Sequence, residues 1–226
     1  MKRIIGYILI TIVSILSFFQ LLQTMKIVFG SFSAYLWFIA GIVCFFIIRP
    51  FFRKNEAWLT TFSHELTHAI ASILMLNKMH SMKVYEQEGS TQYLGRSNIF
   101  ITLAPYCFPI FTYFILLLML LSSVRSLCIF QFLIGPTLGF HILCFTQQTH
   151  PNQTDIKQNG KMISYSFIFM WWLFNASIIL YAVKYGIYRA VIYQFQGMWT
   201  NLLIHISLTL NHSLYSSSAG SIRLIV

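Results

Sequence analysis

Three residues of this 226-residue chain combine the types and spacing that chemistry needs: His64, Glu65 and His68, in the order His-Glu-Leu-Thr-His. Positions i and i+4 of a helix differ by about 40° around its axis, so the two imidazoles project from one face at a separation a single zinc ion bridges. Glu65 lies beside such an ion without binding it, where a carboxylate takes a proton from water. With 7 histidines and 4 glutamates in the chain, random placement gives this pattern about 0.004 times, so chance is a poor explanation. The flanking residues Ala57 to Asn77 are otherwise apolar, and an ionisable group at the centre of a membrane helix costs roughly 2.5–3.5 kcal/mol. Three of them in five residues need a reason. The bland reading, a self-satisfied polar network holding helices together, more often involves one lone polar side chain.

A catalytic zinc takes three protein ligands and keeps one position open. His80, Glu86 and Glu88 follow the motif closely but sit in a polar segment where solvated roles are commoner. His141 lies inside a later apolar stretch and is ranked first as a hydrogen-bonding partner to a ligand. Asp155, the only aspartate, is preferred as third ligand: it follows an apolar span and Pro151, which lets the chain leave helical geometry and turn a carboxylate inward. The competing reading makes it a surface loop residue or a helix cap.

The elements that must position these groups are read from the charges. Hydrophobic residues make up 57% of the chain and charged residues 9%, which excludes an ordinary soluble domain and places the protein in a lipid bilayer. The net charge of +10 is not clustered beside aromatic platforms, so nucleic acid is not expected and the excess is assigned to anchoring at anionic lipid. Cys44, Cys107, Cys128 and Cys144 all fall in apolar stretches, which excludes a disulfide framework.

Runs of 22 uncharged residues lie between Arg3 and Lys26 and between Lys26 and Arg49, each enough for one span. The first is read as a retained helix rather than a signal peptide, because it is long and lacks a small-residue cleavage site. A basic connector around Pro50 leads to helix three. The polar stretch Lys78 to Asn98 is read as a β-hairpin turning at Glu88-Gly89-Ser90. Helix four, Ile99 to about Val124 and closed by Arg125, is expected to kink at Pro105 and Pro109. Helix five runs from Ser126 to about Thr146, and helix six from Met162 to Val183 with an interfacial-looking pair, Trp171-Trp172. The uncharged stretch before Arg223 is expected to lie at the interface as an amphipathic helix. The fold class is thus an all-α polytopic membrane protein with about six transmembrane helices and one small hairpin. Its parts are residues 1–56, a catalytic core at 57–161, and 162–226.

An H-E-x-x-H inside a membrane helix, then a polar hairpin, two spans and a proline-containing segment bearing an aspartate, resembles the site-2 protease family of intramembrane zinc metalloproteases. The resemblance covers about Ala57 to Lys161. It implies one zinc per chain held by His64, His68 and Asp155, Glu65 as general base, and single-span membrane proteins as substrates. It also implies a substrate-presenting hairpin, with Tyr85, Thr91 and Tyr93 as its candidate contacts, and Asn152 beside the aspartate as a further supporting residue. The family's aspartate precedes glycine, whereas Asp155 precedes Ile156. Without a PDZ-like insertion the chain is similar to the compact bacterial branch, which implies a bacterial inner membrane with the hairpin facing the cytoplasm. Basic residues in alternate loops divide eight to six in favour of the opposite orientation. Competing functions are a metal transporter, a membrane zincin using Glu86 or Glu88 as third ligand, and a catalytically inactive scaffold that binds helices. The sequence does not define the oligomeric state.

Overall fold

The computed structural model describes residues 2–86, 88–122 and 127–222. Val124, Arg125 and Ser126, at the expected junction of helices four and five, lie outside the described residues, as does Arg223. Helix α1 (Lys2–Gly30) is followed by a 3-10 turn at Phe32–Tyr35, α2 (Leu36–Ile48), a second 3-10 turn at Arg49–Phe52 and α3 (Arg53–Leu74). Strands β1 (Lys78–Val84) and β2 (Gly89–Leu94) then precede α4 (Ile99–Cys107), α5 (Ile110–Leu120), α6 (Leu127–Gln148), α7 (Thr154–Asn159), α8 (Lys161–Tyr185) and α9 (Ile187–Ile222).

Four helical stretches are long and apolar enough to cross a membrane, and five if α4 and α5 are taken as one bent span. The sequence count of about six differs because Phe32–Leu74 runs as one 43-residue stretch. Pro50 does not interrupt it: the proline falls in the first turn of the Arg49–Phe52 segment, where a missing N–H costs nothing. Arg49 spans that junction with a bidentate pair to Glu56, both bonds at 2.9 Å. The protein is an integral membrane protein, its exposed apolar side chains spread along α1, α2, α5 and α9. Among the described residues α9 is not one of the candidate spans; it packs along α8 and α1.

The kink expected in helix four is a break. Phe108 is extended and α4 and α5 diverge by 79°. Backbone carbonyls released by such a break must be met inside the apolar interior. Trp172 Nε1 donates to the Tyr106 carbonyl at 3.1 Å, and Asn175 Nδ2 donates to that of Cys107 at 2.6 Å. Trp171 and Trp172, expected at the membrane surface, therefore serve the interior, packing against the cluster of Leu103, Tyr106 and Ile156.

Contact between α2 and α6 places two backbones almost against each other. A Cβ added at Gly135 would stand 2.5 Å from the Phe38 carbonyl oxygen, and one at Gly41 would overlap the Phe132 carbonyl. Small residues permit this approach in a bilayer, where packing rather than water exclusion drives helix association. Gly135→Val is expected to cost about 1–3 kcal/mol by overpacking and to lower the thermal unfolding midpoint in detergent, while Gly6→Val, where an added Cβ meets nothing within 4 Å, leaves it unchanged.

Candidate metal centre

Helix α3 carries His64, Glu65 and His68 toward a cleft of about 910 Å³ whose other walls are the β-hairpin, the end of α6 and the start of α7. The two imidazoles meet as one face of a helix dictates, with His64 Nε2 and His68 Nε2 3.1 Å apart. Asp155 Oδ2 closes the triangle at 3.3 Å from His64 Nε2 and 3.4 Å from His68 Nε2. Among the described residues this is the one group of three or more such side chains whose ligand atoms converge.

The outer nitrogens decide what the inner ones offer. His68 Nδ1 donates to the Ile101 carbonyl at 2.9 Å, and a carbonyl only accepts, so the neutral ring presents an unprotonated Nε2 to the centre. His64 Nδ1 is bonded in the same way to Gln148 Oε1 at 3.2 Å. Three lone pairs pointing at one another repel unless a cation sits among them. Ligands about 2.0–2.2 Å from a tetrahedral zinc stand about 3.3–3.6 Å apart, close to the three edges found here. The donor set therefore fits zinc, which His64, His68 and Asp155 would hold at the wall of the cleft.

Ile101 is free to serve because of sequence. In a regular helix its carbonyl would accept from the residue four positions on, which is Pro105 and has no N–H. Asn98 caps the same helix, its Oδ1 accepting from the Ile101 N–H at 2.9 Å.

Asp155 sits in the first turn of α7, just after the turn at Pro151. Tyr106 Oη donates to its Oδ2 at 3.1 Å, and the Tyr106 ring stands edge-on to His64 with centroids 5.4 Å apart. Asn159 Nδ2 donates to the Asp155 carbonyl at 3.1 Å and to Thr102 Oγ1 at 2.7 Å, tying α7 to α4. Ile156, the departure from the family's glycine, is fully buried beside Leu103 and Tyr106 and anchors the segment.

Glu65 is only 7% exposed. Thr91 Oγ1 lies 2.6 Å from its Oε2, and a Cβ at Gly89 would stand 2.6 Å from its Oε1. Strand β2 therefore lies against the carboxylate. The chain reverses ahead of Gly89, which pairs with Val84 as the first residue of β2, so Gly89 and Ser90, expected in the turn, belong to the strand, and the Tyr85 N–H donates to the Glu88 carbonyl at 2.8 Å. Thr91 and Tyr93 line the cleft, while Tyr85 is exposed at the turn. Glu86 and Glu88 rim the cleft, so four of the five acidic residues line it, together with no described Lys or Arg.

His141 and Asn152 are not brought to the triad. His141 stacks on Trp172 at 5.3 Å beside a separate apolar cavity of about 250 Å³, and its Nε2 has no hydrogen-bond partner among the described residues. Asn152 is exposed in the turn before α7. The supporting residues are instead Gln148, Tyr106, Asn159 and the Ile101 carbonyl. Pro105 was the legible signal for the last of these, whereas nothing local marks Tyr106.

With this geometry in place, the comparison with known proteins is decisive at the level of family. The family model described as Peptidase M50B-like matches residues 34–203. The chain belongs to the Peptidase M50B-like family. The match spans α2 through the first part of α9 and so includes every residue of the metal centre and its supports. It bears out the resemblance to the site-2 proteases and identifies this protein as a membrane protein of a metalloprotease family. No curated protein and no solved structure matches the chain.

Supporting hydrogen bonds around zinc ligands are worth about 10–100-fold in metal affinity. Pro105→Ala supplies an N–H that competes with His68 for the Ile101 carbonyl, so zinc affinity is expected to fall by that factor in competition titrations against a chelating dye. Gln148→Ala, which removes the partner of His64, is expected to do the same.

Proposed function

We propose that this member of the Peptidase M50B-like family is a zinc-dependent endopeptidase that hydrolyses peptide bonds in or near the transmembrane segments of single-span membrane proteins. The observation that carries the reading is the convergence of His64 Nε2, His68 Nε2 and Asp155 Oδ2 beside the Glu65 carboxylate at one cleft. Zinc bound there would acidify water and polarise the scissile carbonyl. The chain's own groups do the rest.

Glu65 takes a proton from the attacking water and returns it to the departing amine, acting first as base and then as acid. His64 and His68 keep the tautomer their outer hydrogen bonds impose, and Tyr106 keeps the Asp155 carboxylate turned toward them. A peptide bond within a membrane helix is shielded by its own hydrogen bonds, so cleavage requires local unwinding. Among the described residues strand β2 pairs with β1 on one side alone, and its other edge offers main-chain groups to an unwound segment as an added strand. A cleft lined by four acidic residues and no described Lys or Arg suits a fixed cation. The single convergent group among the described residues favours that over the serial sites of a transport pathway.

Elemental analysis of detergent-purified protein is expected to find one zinc per chain in wild type and in Glu65→Gln, and little in His64→Ala or Asp155→Ala. Cleavage is read with a dye-and-quencher-labelled synthetic peptide whose single apolar span is interrupted by an Asn-Gly pair. Glu65→Gln is expected to lower its turnover by about 10²–10⁴-fold, the range for a general base. Metal-replete wild type without zinc, or an undiminished rate in Glu65→Gln, sinks the reading.

A further inference from the structure

Thr91 was expected from sequence to face substrate, yet its hydroxyl is committed elsewhere. Its Oγ1 lies 2.6 Å from Glu65 Oε2 and 3.0 Å from the Glu65 carbonyl oxygen. A hydroxyl carries one hydrogen and two acceptor lone pairs, so it donates to one of these oxygens at a time. We infer that Thr91 is a positioning residue that keeps Glu65 hydrogen-bonded both as carboxylate and as carboxylic acid, so that the base becomes the acid without any heavy atom moving. The inference rests on the endopeptidase reading and assigns the general base its partner.

The two arrangements follow from the distances. With Glu65 ionised, the Thr91 hydrogen points to Oε2, a short charge-assisted bond. When the water proton arrives on Oε2, the new O–H donates to Thr91 Oγ1, and the Thr91 hydrogen rotates to the Glu65 carbonyl, which already stands within reach. When the proton leaves for the amine nitrogen, the hydroxyl rotates back. Should the proton settle on Oε1, Oε2 still accepts from Thr91. No state leaves a buried carboxyl oxygen facing the threonine unpaired, and such unpaired groups are what interiors avoid.

The backbone around Thr91 is built for the approach. Thr91 stands opposite Met82 in the ladder, and Gly89, two residues earlier, presents no side chain where a Cβ would stand 2.5 Å from Glu65 Cγ. Alternation along a strand turns residues 89 and 91 to the same face, so both meet Glu65 from one side. The other face of the carboxylate remains toward the cleft, which Glu65 lines together with His64, His68 and Asp155.

The test compares Thr91→Val, which keeps the shape without the hydroxyl, with Thr91→Ser, which keeps the hydroxyl. On the labelled peptide, Thr91→Val is expected to lower kcat by about 10- to 100-fold, the worth of a hydrogen bond to a charged group, with KM and zinc content unchanged and Thr91→Ser close to wild type. A hydroxyl that merely docks the hairpin would move KM or zinc content instead, and that outcome overturns the inference, as does an unchanged kcat in Thr91→Val. A second arm needs no substrate. In metal-free protein labelled with ¹³C-glutamate, subtraction of Glu65→Gln isolates the Glu65 carboxylate infrared band, which Thr91→Val and Thr91→Ala are expected to shift and Thr91→Ser to leave in place. A band unmoved by either variant overturns the inference whatever the peptide shows. If Glu65→Gln itself still cleaves, the endopeptidase reading fails; if Glu65→Gln is inactive while Thr91→Val runs at the wild-type rate, only the role of Thr91 falls.

Discussion

Polar atoms in an apolar bundle must find partners in protein, because lipid supplies none. That constraint organises this molecule from the helix breaks to the metal centre. Prolines create the need and the site uses it: Pro105 leaves the Ile101 carbonyl without a helical donor, and His68 takes it. The break beside Pro109 leaves further carbonyls, and those of Tyr106 and Cys107 are taken by Trp172 and Asn175 of α8. The same bonds that pay for irregular backbone therefore fix α4 against both α3 and α8. A histidine tautomer and a helix crossing share one origin.

Charge distribution follows the same logic at larger scale. The chain carries +10 overall, yet its few carboxylates gather at the cleft: Glu65, Glu86, Glu88 and Asp155 line it, and Glu56 stands nearby, bonded to Arg49 and Gln147. Gln147 and its neighbour Gln148 reach in different directions from the last turn of α6, one to Glu56 near the start of α3 and one to His64 a few turns on. Helix α6 is thereby held along α3 at two points, and the imidazole nearer its end is oriented by a side chain whose own helix is fixed.

The motif in α3 was legible because one helical turn sets both imidazoles, so five consecutive residues carry the geometry. Asp155 was legible as chemistry, an isolated carboxylate after a span and a proline, and the fold brings it within 3.4 Å of both histidines. What the sequence could not show were partners supplied by packing. Nothing near residue 106 says that a tyrosine will reach residue 155, and nothing near 148 says that an amide will meet residue 64. His141 illustrates the converse: a lone intramembrane histidine looks like a supporting residue, but its ring is taken up by stacking on Trp172. The count of spans differed for a local reason, since charge at Arg49, Arg53 and Lys54 reads as a loop although a 3-10 turn carries the helix through.

The segment bearing Asp155 shows how a ligand is held by something too short to hold itself. Six residues cannot sustain an isolated helix, because nucleation costs more than so few hydrogen bonds return. Helix α7 is instead pinned from three directions: Ile156 is buried against α4 and α8, Ser164 Oγ of α8 donates to the Ile156 carbonyl at 3.1 Å, and Asn159 bonds Thr102 of α4. A glycine after the aspartate would leave the first of these anchors out. The isoleucine thus exchanges backbone freedom for a buried side chain, and the carboxylate reaches the histidines because its neighbour is fixed in the core.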